Sequence, residues 1–333
     1  MQTRVRYSIF GYSDYIKNSL GDVINRSDVD YFDSLYFQNP LKQAVHRVFI
    51  SRHVRIFSKL IMPLWKNTYW SSKRLKEGEV PVLIMYEINP LSNKQQWIRQ
   101  IRKDNPQLKI VYIFTNIIDE HRMWRIEQIQ RHRELYDLVL TFNKADAEKY
   151  NMDYYEGVFS PKVIEQQLID NAESSDVYFC GVEKGRLSQL ISIYDYLSEK
   201  GLKCKFDVIN VEHSKQIARE GVSYHDSLIR NDMLLANVIK SRCILEVMVD
   251  RTQPGSSLRM CESIAYEKKL LTNNLYACEK PFYNSRQMYI FDTVEDIDVN
   301  FIFREVKKED FLDKNSLSPV KLLEYIYGKV FGK

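Results

Sequence analysis

The segment CILEVMVDRTQPGSSLRMCESIAYEKKLLTNN, Cys243 to Asn274, sets the architecture of this chain. It opens with an apolar run, Cys243 to Val249, and closes with a short apolar strand, Lys269 to Thr272. Between them Pro254 and Gly255 force a turn, and a helix is expected over Ser257 to Glu267. Strand, turn, helix, strand is the repeat of a parallel sheet. Such a turn leaves the backbone N–H groups of the first helical turn pointing outward with the positive end of the helix dipole, the layout of an anion site. Ser256 or Ser257 is placed to cap the helix. Arg259 is placed to add a bidentate contact to a phosphate oxygen. Glu262, one turn further, is placed to accept two hydrogen bonds from a vicinal diol such as a ribose. The other reading of the same two residues is an i, i+3 ion pair on a helix surface.

The same grammar extends outward in both directions. Val177 to Gly181 reads as a strand, the stretch from Arg186 to Gly201 as a helix with Leu187, Leu190, Ile191, Tyr194 and Leu197 on one face, and KCKFDVINV as a strand. Asp226 to Ser241 reads as helical and Met288 to Thr293 as a further strand. In the first half, Val80 to Ile88, Leu108 to Asn116 and Tyr136 to Asn143 are continuous apolar runs, the mark of strands buried on both faces. Polar stretches of helix length, Ser92 to Asp104 and His121 to Leu135, separate them. The expected fold class is α/β, two doubly wound parallel sheets of Rossmann type, with domains over 1–165 and 166–315 and a last helix over 316–333 packing back across the lobes. Ligands of such sheets lie beyond the carboxyl ends of the strands.

A chain of 333 residues has the length for two cores. Hydrophobic residues at 44% and charged residues at 28% are globular values, so fibrous and disordered classes drop out. No apolar run reaches the roughly 20 residues that cross a bilayer, and the start MQTRVRYSIFGYSDY lacks a signal-peptide core, so the expected location is cytoplasmic. Cys180, Cys204, Cys243, Cys261 and Cys278 sit in apolar runs without metal-binding spacing and read as reduced core residues. Glu246, inside an apolar strand, is a buried charge expected to pair with a neighbouring base. Net charge is a mild +4, and with no recognised binding module this argues against nucleic acid as partner. The charge is uneven, however: from Lys42 to Lys76 there are nine basic residues and no acidic one. That stretch reads either as an amphipathic segment on an anionic membrane surface or as a core helix with a solvated basic face.

A second loop, FCGVEKGRLSQL, brings Gly181, Lys184, Gly185 and Arg186 to a strand end before a helix. Together, YFCGVEKGRL, the segment from Cys243 to Asn274 and FYNSRQMYIF resemble the nucleotide-sugar-binding domain of GT-B glycosyltransferases, in particular enzymes of bacterial lipopolysaccharide and capsular polysaccharide assembly. The shared pattern is roughly Q-x-G-x-(S/T)-x-R-x-x-E followed by K-K-L-(I/L)-T-N-N, and the resemblance spans about Val177 to Phe291. It implies two facing Rossmann-like domains, acceptor in the first and nucleotide diphosphate sugar in the second. By it, Gln253, Gly255, Ser256 and Ser257 face the diphosphate, Arg259 supports it, Glu262 binds the ribose, and Gly181, Lys184, Gly185 and Asn273 complete the donor side. Lys184 matches a lysine that retaining enzymes place on the diphosphate, whereas Val182 and Pro254 depart from their pattern.

The implied chemistry is transfer of a sugar to a glycan or lipid-linked glycan, with Lys184 and Arg259 stabilising the leaving diphosphate and no metal or other cofactor required. An inverting transfer also needs a base from the first domain. Asp119 is the first candidate, with Glu87, Asn116 and His121 on the acceptor side. The alternative is a catalytically silent GT-B-like subunit that binds a partner glycosyltransferase.

Overall fold

The computed structural model describes residues 3–11, 14–33, 39–50, 69–249, 251 and 256–332. The chain forms two compact units, residues 1–160 with 319–333, and residues 161–318. Each is built on a six-stranded sheet in which every pairing is parallel.

In the first unit the strands are β1 (Arg4–Phe10), β2 (Val29–Phe32), β3 (Glu79–Tyr86), β4 (Lys109–Phe114), β5 (Leu138–Thr141) and β6 (Asp153–Tyr154), in the order β2-β1-β3-β4-β5-β6. Alternate residues of β3 feed opposite layers. Leu83 and Met85 join Phe10, Trp97 and Tyr112 on one face, while Val82, Ile84 and Tyr86 join Tyr7, Ile9 and Val111 on the other. The second layer is completed by Leu322, Leu323 and Ile326 of the terminal helix Pro319–Phe331, which therefore belongs to this unit. Tyr7 donates its hydroxyl proton to Leu323 O at 3.3 Å across that seam.

β1 and β2 carry no continuous apolar signal because polar residues on them have dedicated partners. Arg6 makes a bidentate pair with Asp30 at 2.7 and 2.8 Å, and Ser8 Oγ accepts from Trp70 Nε1 at 3.0 Å. The flanks of the basic stretch also pack inward. On the helix Pro40–Ile50, His46 Nδ1 lies 2.9 Å from Tyr69 Oη and Phe49 stacks on the same ring. The core-helix reading therefore holds for residues 40–50, and the heart of that stretch, residues 51–68, lies outside the described residues. Among the described residues no helix is long and apolar enough to cross a membrane.

In the second unit β7 (Ser175–Val182), β8 (Cys204–Ile209), β9 (Val222–His225), β10 (Ser241–Glu246), β11 (Lys269–Thr272) and β12 (Met288–Ile290) run in the order β12-β11-β10-β7-β8-β9. From the other edge this is the dinucleotide-fold order, three strands one way and three the other, with the reversal between β7 and β10. One face holds Val177, Phe179, Phe206, Val208, Cys243 and Leu245. The opposite positions, Tyr178, Cys180, Asp207, Glu246 and Thr272, are markedly more polar, and all five are buried. The expected helix over Asp226 to Ser241 starts later, at Asn231, and β10 ends at Glu246 rather than Val249. Four cysteines are buried as expected; Cys278 is exposed, since it sits on the short turn Leu275–Glu279 outside the core.

Candidate active site

Where a doubly wound sheet reverses, the loops leaving the two central strands part and open a crevice. In the second unit those strands are β7 and β10. The loop after β7 turns through two consecutive left-handed residues, Lys184 at φ 48° and Gly185 at φ 81°, and Lys184 is exposed. Arg186 then opens the helix Leu187–Glu199 and folds its guanidinium back over the strand ends. Its Nη2 donates to Val182 O at 2.8 Å, its Nη1 donates to Val247 O, and the group lies 5.2 Å above the Phe179 ring. Arg186 thus ties the ends of β7 and β10 together. Gly181 makes room for it, because a Cβ there would stand 2.8 Å from Arg186 Nη2.

The loop after β10 leads to the helix Leu258–Ala265, where Ser257 is the cap, its Oγ accepting from Met260 N at 3.0 Å. Gln253, Pro254 and Gly255 lie outside the described residues, while Ser256 stands just ahead of the cap. Arg259 and Glu262 form the i, i+3 pair, but not on a surface: their side chains are 17% and 1% exposed. Burial raises the Glu262 carboxyl above its ordinary value and Arg259 opposes the shift, while Glu262, Cys180 and Tyr178 together favour the charged form of Arg259 against its own burial. Beyond them Asp207 accepts from Tyr178 Oη at 2.9 Å and lies 2.9 Å from His225 Nε2, so a polar network crosses this face of the sheet.

β11 and its flanks account for the rest of the KKLLTNN motif. Lys268 Nζ donates to Ile239 O and Ser241 O at the end of one helix, and Lys269 Nζ donates to Phe301 O, Ile302 O and Arg304 O at the end of another. Thr272 Oγ1 donates to Glu246 Oε2 at 2.5 Å. Asn273, expected on the donor side, is wholly buried and holds Met248, accepting from its N–H at 2.6 Å and donating to its carbonyl at 3.2 Å. Asn274 caps the turn that follows. Glu246 does not form the expected ion pair: among the described residues no base lies within salt-bridge distance, and a threonine hydroxyl takes that place. No group of three or more His, Cys, Asp or Glu among the described residues is arranged to hold a metal ion.

In the first unit the reversal falls between β1 and β3. Glu87, just past β3, is 1% exposed and surrounded by partners: Thr115 N donates to it at 3.1 Å, Asn116 Nδ2 lies at 3.5 Å, and Arg122 and Arg125 approach at 3.6 and 3.7 Å. Asp119 is exposed and pairs with Arg122 at 2.5 Å, and His121 is exposed beside it. Arg122 therefore joins the two acidic candidates, a role that sequence reasoning did not assign. Its signal was the cluster HRMWR at a strand-end loop.

No protein-family model matches the sequence, and no curated protein matches it. Solved structures do match its fold. A glycosyltransferase from Rickettsia africae aligns at TM-score 0.54 and 11% identity over 98% of this chain and 99% of that one. An α,α-trehalose-phosphate synthase (UDP-forming) from Burkholderia vietnamiensis aligns at 0.50 and 10% over 98% and 97%. A trehalose-6-phosphate protein from E. coli bound with UDP-2-fluoro glucose aligns at 0.50 and 11% over 98% and 97%. The fold is therefore GT-B, two Rossmann-like parallel-sheet units.

Proposed function

We propose that this chain is a glycosyltransferase that takes a sugar from a nucleotide diphosphate donor held by the second unit. The observation that carries the reading is the reversal between β7 and β10, where Arg186, the Arg259–Glu262 pair and the capped start of the helix Leu258–Ala265 meet beside the exposed Lys184. As the bond between sugar and diphosphate breaks, negative charge grows on the leaving group and positive charge on the sugar carbon. Cations fixed in advance stabilise that state more than the ground state. In this proposal Lys184, Arg259 and the N–H groups of the helix start meet the diphosphate, Glu262 holds Arg259 in place, and no divalent metal is required. Asp119, close to Glu87, Asn116 and His121, is the proposed base for the acceptor hydroxyl. A neighbour bound with UDP-2-fluoro glucose supports placing UDP-sugars first among donors. An α,α-trehalose-phosphate synthase among the neighbours supports testing free sugars and sugar phosphates as acceptors. A lipid-linked bacterial surface glycan, reached from the cytoplasmic side of a membrane, rests on the resemblance of the motifs.

A second reading, a silent GT-B subunit, is favoured by one observation: Glu262 already has its partner in Arg259, so that carboxylate is satisfied without ligand. Thermal unfolding with UDP, GDP, CMP, ADP and dTDP and their sugar conjugates separates the two. At 100 times its dissociation constant a ligand adds about 2.7 kcal/mol, a shift of roughly 5–11 °C for domains of this size. The transferase reading expects one nucleotide family to shift the midpoint. It also expects Lys184→Ala to weaken that ligand about tenfold, near 1.4 kcal/mol, with the ligand-free midpoint unchanged. No shift from any member of the panel would leave the silent subunit.

A further inference from the structure

The sheet of the first unit has a second opening, at the amino ends of its strands. There β1 lies between β2 and β3, and a tight turn leads into each of those neighbours. The turn Arg26 to Val29 enters β2 and is closed by Val29 N donating to Arg26 O at 3.1 Å. The turn Lys76 to Glu79 enters β3 and is closed by Glu79 N donating to Lys76 O at 3.1 Å. Gly78, at φ 77°, allows that second turn, and Lys76 N donates to Glu79 Oε2 at 2.8 Å to fix it further. Between the turns, at the start of β1, lies a cavity of about 500 Å³ lined by Arg4, Arg26, Ser27, Asp28, Lys76 and Glu79. That volume falls in the range of small-molecule sites. Glu87, past the other end of β3, is eight residues from Glu79, roughly 25 Å of strand, so the cavity is separate from the acceptor-side candidates.

The acceptors of this cavity are engaged and several of its donors are not. Asp28 takes both of its bonds from Arg26, Oδ1 from Nε at 2.9 Å and Oδ2 from Nη2 at 2.7 Å. That bonded guanidinium holds the Asp28 carboxyl below the usual carboxylate range. The Glu79 side chain is 4% exposed, and its Oε2 serves the turn. The Arg4 side chain is 66% exposed, and its Nε stands 3.8 Å from Glu79 Oε1, beyond hydrogen-bond reach. Lys76 and Ser27 are exposed, and among the described residues the Lys76 ammonium and the Ser27 hydroxyl have no partner. Three cations thus line the cavity against two carboxylates. Lys76 is also the last basic residue of the stretch from Lys42, which has nine such residues and no acidic one.

We propose that this cavity binds a phosphate monoester, with Arg4, Lys76 and Ser27 donating to the phosphoryl oxygens and Arg26, held by Asp28, adding its charge. The donors come from three separate segments, the start of β1 and the turns before β2 and β3, an arrangement that suits the tetrahedral oxygens of a phosphate better than a planar carboxylate. The cavity is larger than a phosphate ion, which favours an ester over the bare ion. Met1 and Gln2 lie outside the described residues and are no part of this assignment. The ester is either a small soluble molecule or the headgroup of an anionic lipid, and the two are separable by probe. The inference is independent of the donor reading above.

The test uses the full chain as wild type, Arg4→Gln, Lys76→Gln and the double variant. A Lys307→Gln/Lys308→Gln pair, at exposed positions of the second unit, removes the same charge elsewhere. Each is titrated calorimetrically at constant ionic strength with inorganic phosphate and glycerol 3-phosphate, with glycerol as the uncharged comparison, and sedimented with phosphatidylcholine vesicles with and without phosphatidic acid. Because the substituted side chains are exposed, ligand-free thermal midpoints stay at the wild-type value. For a soluble ester, glycerol 3-phosphate binds wild type more tightly than inorganic phosphate, each single variant weakens it about tenfold, and the double variant weakens it further. For a lipid headgroup, glycerol 3-phosphate does not bind, and the double variant alone loses the vesicles that contain phosphatidic acid. A double variant that matches wild type with every probe, or that weakens no more than the Lys307/Lys308 pair, would overturn the inference.

Discussion

Arg259→Ala lowers the stability of the second unit by about 3–5 kcal/mol at neutral pH, because it leaves Glu262 buried without its counter-charge. The loss depends on pH in a defined direction. Burial already raises the Glu262 carboxyl, and without the opposing guanidinium it rises further. The unfolded chain releases this proton near the ordinary glutamate value, whereas the variant's native state releases it only at higher pH. Between those two values the native state binds more protons, so stability falls as pH rises. The deficit is accordingly small in mild acid and complete above the native value. Urea denaturation across pH 4.5–8.5 reads it, and Glu262→Gln in the same chain recovers much of it by removing the charge. A deficit independent of pH would mean that lost packing, and not the orphaned carboxylate, dominates.

Lys269→Met produces the second large effect, about 3 kcal/mol. The Lys269 ammonium lies against the end of the helix Val299–Phe303 and donates to three carbonyls that the helix itself leaves unsatisfied. Methionine preserves most of the aliphatic bulk against the Phe301 ring and removes only the donors, so the loss reports the cap. Denaturant midpoints measure it, with Lys321→Met on the exposed face of the terminal helix as the neutral comparison. Equal midpoints for the two variants would show that water replaces the cap at no cost.

These two variants also show where the sequence was readable. The apolar runs that become β3, β4, β5, β7, β8, β10 and β11 are visible because strands covered on both faces have little room for polar residues. β1 escapes that reading because Arg6 and Ser8 are matched to Asp30 and Trp70, partners distant in sequence. β9 escapes because it is a short edge strand with partly exposed residues. At the site, the helix start and its serine cap followed from local chemistry. What stayed hidden was depth and purpose. Arg259 and Glu262 have surface-pair spacing and are buried, and Lys268, Lys269 and Asn273 resemble a binding motif but hold helix ends and a loop. Only the positions of the helices Asn231–Lys240 and Val299–Phe303 reveal what the two lysines do.

The central claim is that the reversal between β7 and β10 holds a nucleotide diphosphate. Amide hydrogen exchange of the full chain, with and without the nucleotide sugar that gives the largest thermal shift, locates that site directly. The account predicts protection concentrated in residues 181–187 and 256–262, the turn at Lys184 and the start of the helix Leu258–Ala265. Protection confined to residues 87–122 of the first unit, with 181–187 and 256–262 unchanged, would contradict it.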